Sequence, residues 1–150
     1  MVSLTDYVKG AMDLATLMFV SYRAMDERVR QAMRDAGYDV TVAQARLAQR
    51  IAEEGTRLTE LADRAGVTKQ TASLLVAALE REGLVERVPD PADGRARLIQ
   101  LSSRGREAAQ RAMEVVIGVE GEWTAHLGPE LTKRLREALV RLREVTDPYS

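Results

Sequence analysis

The sequence contains no cysteine, which excludes a disulfide framework, a thiolate zinc site and a thiol redox switch. Histidine occurs once, as His126, which leaves little room for a histidine metal site or a histidine-based catalytic dyad. Aromatic side chains make up only 4% of the chain, so a core must be assembled largely from Ala, Val, Leu and Met. The unbroken apolar runs are a few residues long, too short for a membrane-spanning helix. The start, MVSLTDYVKG, has neither a basic opening nor a long apolar block, so no signal peptide is expected. A glycine-rich phosphate loop, a nucleophile beside a base and a converging carboxylate cluster are all missing, and neighbours such as Glu53 and Glu54 face different sides of a helix. An enzyme therefore finds no support, nothing calls for a cofactor or a metal, and a soluble cytoplasmic protein is expected.

What is present fits one folded domain. The 150 residues are 45% hydrophobic and 30% charged, in the range of globular proteins and outside that of disordered chains. The net charge of −1 hides a distribution: residues 1–55 carry a net −1, 56–106 a net +2 and 107–150 a net −2. Within 87–106 stand Arg87, Arg95, Arg97, Arg104 and Arg106 against only Asp90 and Asp93. A local basic strip on an acidic molecule can bind a polyanion. A solvated face is the other reading of the same strip.

Apolar residues recurring at three and four (Leu4, Val8, Ala11, Ala15, Met18, Tyr22, Met25, Val29, Met33) predict one long helix over 4–35. Leu14, Leu17, Phe19 and Val20 add a second apolar stripe, so this helix needs cover on more than one side. Thr41 is placed to cap a helix near 42–54, which Gly55 ends. Thr59 is placed to cap a short helix, TELADRA, which Gly66 terminates. Thr68 then caps KQTASLLVAALERE, ended by Gly83, with Ala72, Leu75, Val76 and Leu79 as its buried stripe. Two short helices joined by a glycine turn form a helix-turn-helix. LVERV (84–88) and ARLIQL (96–101), separated by the Pro-, Asp- and Gly-rich loop 89–95, predict a hairpin directly after it. Ser102 or Ser103 caps a further helix from about 104, Gly128-Pro129 breaks it, and 130–145 forms the last.

The start of the second helix of the pair carries the chemistry of a major-groove reader. Lys69 suits a phosphate or a guanine edge, Gln70 can pair bidentately with adenine, and the hydroxyls of Thr68, Thr71 and Ser73 suit bases or phosphates. The free amides of the helix start also favour phosphate. On the hairpin, Arg95 is placed to reach a minor groove and Arg97 a backbone phosphate, with Asp93 orienting a neighbouring guanidinium. The plainer alternatives are a wet amphipathic helix and two aspartates that only shape the loop.

These segments together resemble the MarR family of bacterial transcription regulators, over roughly residues 40–145. ELA at 60–62, GVTKQTAS at 66–73, LEREGLVER at 79–87, DGR at 93–95 and LSSRG at 101–105 follow the family pattern in order and spacing. The resemblance implies a mainly α fold with a small β-hairpin wing, a winged helix-turn-helix flanked by N- and C-terminal dimerisation helices. It implies one domain over 1–150, with dimerisation helices in 1–40 and 104–150 and the DNA-binding lobe in 41–103. The implied function is a homodimeric repressor on a palindromic operator in double-stranded DNA, released when a small aromatic or phenolic effector binds between the dimer helices and the lobe. The helix opening at Thr68 would read the major groove, and Arg95 would enter the minor groove.

Leu74 departs from the family, standing at an exposed position where relatives often carry a polar or basic residue; a leucine there can instead touch a thymine methyl. The branch of the family that senses oxidants through cysteine has no counterpart here. Leftover apolar faces on helices 4–35 and 130–145 are independent grounds for dimerisation. Trp123 and His126 read as a helix-junction plug and a wet histidine in preference to ligand residues, while Tyr22 and Met18 fit an effector pocket or a dimer stripe equally. The competing function is a winged-helix protein-interaction module that does not bind DNA.

Overall fold

Asp13 starts the first helix by capping it. Its carboxylate accepts the Thr16 backbone N–H at 2.8 Å while its own backbone stays extended, and α1 runs Leu14–Asp35. The computed structural model of the chain describes Thr5, Gly10 and residues 12–147; Leu4, Val8 and Ala11, which open the expected helix 4–35, lie outside the described residues. That helix is not continuous. Gly10 has a φ of 88° and Asp13 is extended, and neither conformation is compatible with a helix interior.

Thr41 caps α2 (Val42–Ala48) through a capping box with Gln44, each backbone N–H taken by the other's side chain at 3.0 and 3.2 Å. Periodicity predicts this helix to about 54, but it closes after Ala48 in tight turns. The reason lies elsewhere in the chain: Thr56 exchanges both backbone hydrogen bonds with Ile99, at 2.9 and 2.8 Å, and its buried hydroxyl accepts the Ala52 N–H. The chain must be extended at Thr56 to make that bridge, so the next helix, α3 (Leu58–Ala65), begins directly behind it. Arg57 occupies its cap position without a side-chain bond to the helix start, and the expected cap Thr59 sits inside the first turn.

Gly66 leaves α3 in the left-handed conformation (φ 65°, ψ 33°) that a residue with a Cβ adopts only at a cost. Thr68 caps α4 (Lys69–Arg81), accepting the Thr71 N–H at 3.1 Å. The hairpin follows as β1 (Val85–Asp90) and β2 (Asp93–Leu101), antiparallel from Val85 opposite Leu101 to Pro89 opposite Arg97. The expected loop 89–95 thus lies mostly within the strands, with a register shift between Pro89 and Asp90 and only Pro91 and Ala92 outside them. Ser102 caps α5 (Ser103–Leu127), and after Gly128 the chain enters α6 (Pro129–Thr146) with Pro129 in its first turn, where the missing N–H costs nothing.

One core unites α2 to β2 and the start of α5. Leu47, Leu61, Ala62, Ala72, Val76, Leu79, Leu84, Val85, Ile99 and Ala108 are all buried together. The join between wing and α5 is close: the Ser102 backbone N–H reaches the Leu84 carbonyl at 3.0 Å, and Ser102 Oγ accepts the Gly105 N–H at 3.0 Å. A Cβ on Gly105 would collide with that same Leu84 carbonyl oxygen, so the close approach requires glycine.

α1 and α6 both pack on α5, and only the end of α1, at Met33, also touches this core. The guanidinium of Arg28 on α1 holds Glu122 on α5 bidentately, and Arg136 on α6 pairs with Glu120 on α5. Neither α1 nor α6 buries a residue completely; Leu17, Phe19, Val20, Leu131, Leu135 and Val140 stay exposed. Among the described residues no helix is long and apolar enough to cross a membrane.

Candidate nucleic-acid interface

The buried stripe of α4 determines which residues it presents outward. Ala72, Val76 and Leu79 are essentially inaccessible, so Gln70 and Leu74, about half a helical turn away around the axis, face solvent. Lys69 and Thr71 are also exposed, and Ser73 is half-buried on the flank. Thr68 is exposed but already engaged: besides accepting the Thr71 N–H, its hydroxyl donates to Thr71 Oγ1 at 2.9 Å. The Thr71 hydroxyl is left with its proton free to donate outward. The first turn therefore offers a cation, an amide and a hydroxyl beside the unpaired backbone N–H groups of a helix start.

The basic strip of 87–106 divides sharply on folding. Arg87 pairs with Glu80 at 3.1 Å. Arg104 lies over the Tyr38 ring, 4.9 Å from its centroid, and donates to the Glu82 carbonyl. Arg106 donates to the Leu101 carbonyl at 2.7 Å. Arg95 and Arg97 on β2 are exposed and, among the described residues, their guanidinium groups have no internal partner. These two are the cations the wing leaves for a ligand.

Asp93 does not orient either of them. Its Oδ1 accepts the Arg95 backbone N–H at 3.1 Å, which shapes the turn, and the guanidinium nearest its carboxylate is that of Arg57, at 3.9 Å. Sequence reasoning gave Asp90 a loop-shaping role but missed Arg57 and its pairing with Asp90. Asp90 is buried; Oδ1 accepts the Ala92 N–H at 2.8 Å and Oδ2 accepts Arg57 Nε at 2.7 Å. The Ala92 N–H first, and then the Arg57 guanidinium, hold the Asp90 carboxyl below its ordinary range. No sequence signal joins the two, because they are 33 positions apart and neither belongs to a periodic pattern.

The remaining candidates sit away from this face. Trp123 is half-buried and lines, with Leu127, Leu135, Leu139 and Val140, a cavity of about 310 Å³ between α5 and α6. It sits at the junction of the two helices and borders open space there, and His126 is exposed. Met18 and Tyr22 are 38% and 50% exposed on α1.

Comparison with known proteins agrees with this geometry. The MarR family model matches residues 38–96, from just ahead of α2 to just past Arg95. The transcriptional regulator HosA of Escherichia coli O111:H- is 32% identical over 93 residues, spanning 61% of this chain and 69% of that protein. The crystal structure of transcriptional regulator Tm0710 from Thermotoga maritima has a TM-score of 0.64 at 30% identity, covering 87% of this chain and 92% of that one. CouR from Rhodococcus jostii RHA1, solved with p-coumaroyl-CoA, shares the fold with a TM-score of 0.68 at 23% identity, covering 92% and 94% of the two chains. With a helix-turn-helix followed by a hairpin wing in one lobe, the chain belongs to the MarR family of DNA-binding transcriptional regulators, a family of regulators and not of enzymes.

Proposed function

We propose that the chain acts in the cytoplasm as a homodimeric repressor that binds a pseudo-palindromic operator, reading it with Lys69, Gln70, Thr71 and Ser73, with Thr68 as cap and phosphate contact, and with Arg95 and Arg97 on the wing. The observation that carries this reading is the division of the basic strip 87–106: Arg87, Arg104 and Arg106 are engaged internally, and the two left over, Arg95 and Arg97, lie on the wing. Phosphate neutralisation then supplies most of the affinity, which falls steeply with salt.

The second copy is argued from the apolar side chains that α1 and α6 leave in water. Continuous patches of this kind are rare on monomers, and pairing across a two-fold axis covers them. It also sets two copies of α4 about 34 Å apart, one turn of DNA. Residues 1–40 and 104–150 are accordingly assigned to the dimer and 41–103 to the DNA lobe. A small aromatic or phenolic effector is assigned to the junction of the two; the p-coumaroyl-CoA held by CouR supports that class of ligand.

Sedimentation of the purified chain, followed by fluorescence anisotropy with random duplex and with duplex enriched by in-vitro selection, tests the reading. A species of twice 16.6 kDa that prefers the enriched duplex by orders of magnitude is expected. A well-folded chain that sediments at 16.6 kDa and ignores both duplexes at low salt would be an interaction module instead.

A further inference from the structure

Among the described residues, every exposed large apolar side chain but one lies on α1, α5 or α6, or at Met12 beside α1. The exception is Leu74, 68% exposed on α4. The lobe otherwise hides its large apolar groups, from Leu47 to Ile99, in a single core. Leu74 follows Gln70 by one helical turn on the face opposite Ala72, Val76 and Leu79. Of its neighbours at three and four positions, Thr71, Ala77 and Ala78 are short and Gln70 is itself exposed, so Leu74 stays open to solvent.

We propose that Leu74 is a specificity-determining residue that seats against the 5-methyl group of a thymine in each half-site, an inference that rests on the DNA-binding reading above. A protein partner is the weaker fit, since a lone leucine amid Lys69, Gln70, Thr71 and Arg81 makes no patch of the size that protein interfaces bury. The major groove, by contrast, offers one apolar group among its donors and acceptors, and that is the thymine methyl. The four residues from Gln70 to Leu74 rise about 6 Å along the helix, roughly two base-pair steps. The thymine therefore lies close to the base that Gln70 pairs with.

The test uses the full chain and its selected operator, with each thymine replaced in turn by deoxyuridine, which lacks only the methyl group. Wild-type binding is expected to weaken about fourfold at one position per half-site, the worth of one buried methyl-sized group. Leu74→Ala is expected to bind the thymine and deoxyuridine forms equally there, Leu74→Met to keep the dependence, and both variants to melt like wild type because the side chain is exposed. Tight operator binding with no position sensitive to the methyl, or a loss that persists undiminished in Leu74→Ala, overturns the role of Leu74 and leaves the DNA-binding reading intact. Failure to bind any duplex overturns both.

Discussion

The carboxylate of Asp90 joins two parts of the lobe: one oxygen takes the Ala92 N–H of the wing turn, the other takes Nε of Arg57 at the entrance to α3. The wing tip that carries Arg95 is thereby tied to the scaffold beneath it. Asp90→Ala removes both bonds and leaves the Ala92 N–H and the Arg57 guanidinium without their partner. The variant is expected to melt below wild type and to weaken DNA binding about as much as Arg95→Ala, though Asp90 itself is buried. In the double variant the second change is expected to cost little more, which a double-mutant cycle by anisotropy measures. Full additivity would separate the latch from the wing contact.

Acid reads out the same carboxylate. The folded state holds the Asp90 pKa below its ordinary value of 3.8, so the carboxylate binds its proton more readily in the unfolded chain. Its stabilising contribution is therefore complete above that value and is lost as pH falls through it toward the folded pKa. Asp13, held down by the Thr16 N–H and hydroxyl, and Glu122, held down by Arg28, act in the same direction. Asp90→Asn is expected to unfold earlier than wild type at pH 7, with the gap narrowing below pH 3.8 in circular-dichroism melts. A gap that stays constant through that range would place the effect elsewhere.

Reading helix and wing are expected to fail differently. Arg95→Ala weakens binding to every duplex and flattens the salt dependence, with the slope of log K against log salt falling by about 1. Gln70→Ala costs on the order of 1–3 kcal/mol on the preferred operator and relaxes the preference at one base pair of each half-site. Competition titrations over several salt concentrations distinguish the two patterns. Neither change affecting DNA affinity would mean that the reading face lies elsewhere.

Gly105 offers a purely structural test. An added Cβ meets the Leu84 carbonyl, whose oxygen also accepts the Ser102 N–H, so wing and α5 must part to admit it. Gly105→Ala is expected to destabilise the lobe by about 1–3 kcal/mol, typical of overpacking, in urea titrations. The substitution favours helix intrinsically, so unchanged stability would show that the join yields easily.

The sequence made the helix-turn-helix and the order of elements readable because their signals are local. Thr41, Thr68 and Ser102 cap helices through backbone groups three residues on, and Gly66 ends one by its own backbone freedom. The hairpin was visible in its turn residues, yet its loop shrank to two positions once Asp90 and Asp93 closed the turn. The helix after Thr41 was read too long for a different reason, the pairing of Thr56 with Ile99, which no window of neighbouring residues contains.

By itself, then, the order of residues determined which segments coil, the caps at Thr41, Thr68 and Ser102 and which polar groups crowd the start of α4, since helix periodicity and capping act over three or four positions. Only the tertiary structure decided which arginines are occupied and which are available. Glu80, the Glu82 and Leu101 carbonyls and Tyr38 engage Arg87, Arg104 and Arg106, and Asp90 engages Arg57, while Arg95 and Arg97 are left at the wing. A guanidinium has five donors and a long reach, so its partner is settled by which acceptor the folded chain brings within 3 Å or so, and two of those acceptors, the Glu82 carbonyl and Asp90, lie 22 and 33 positions away in sequence.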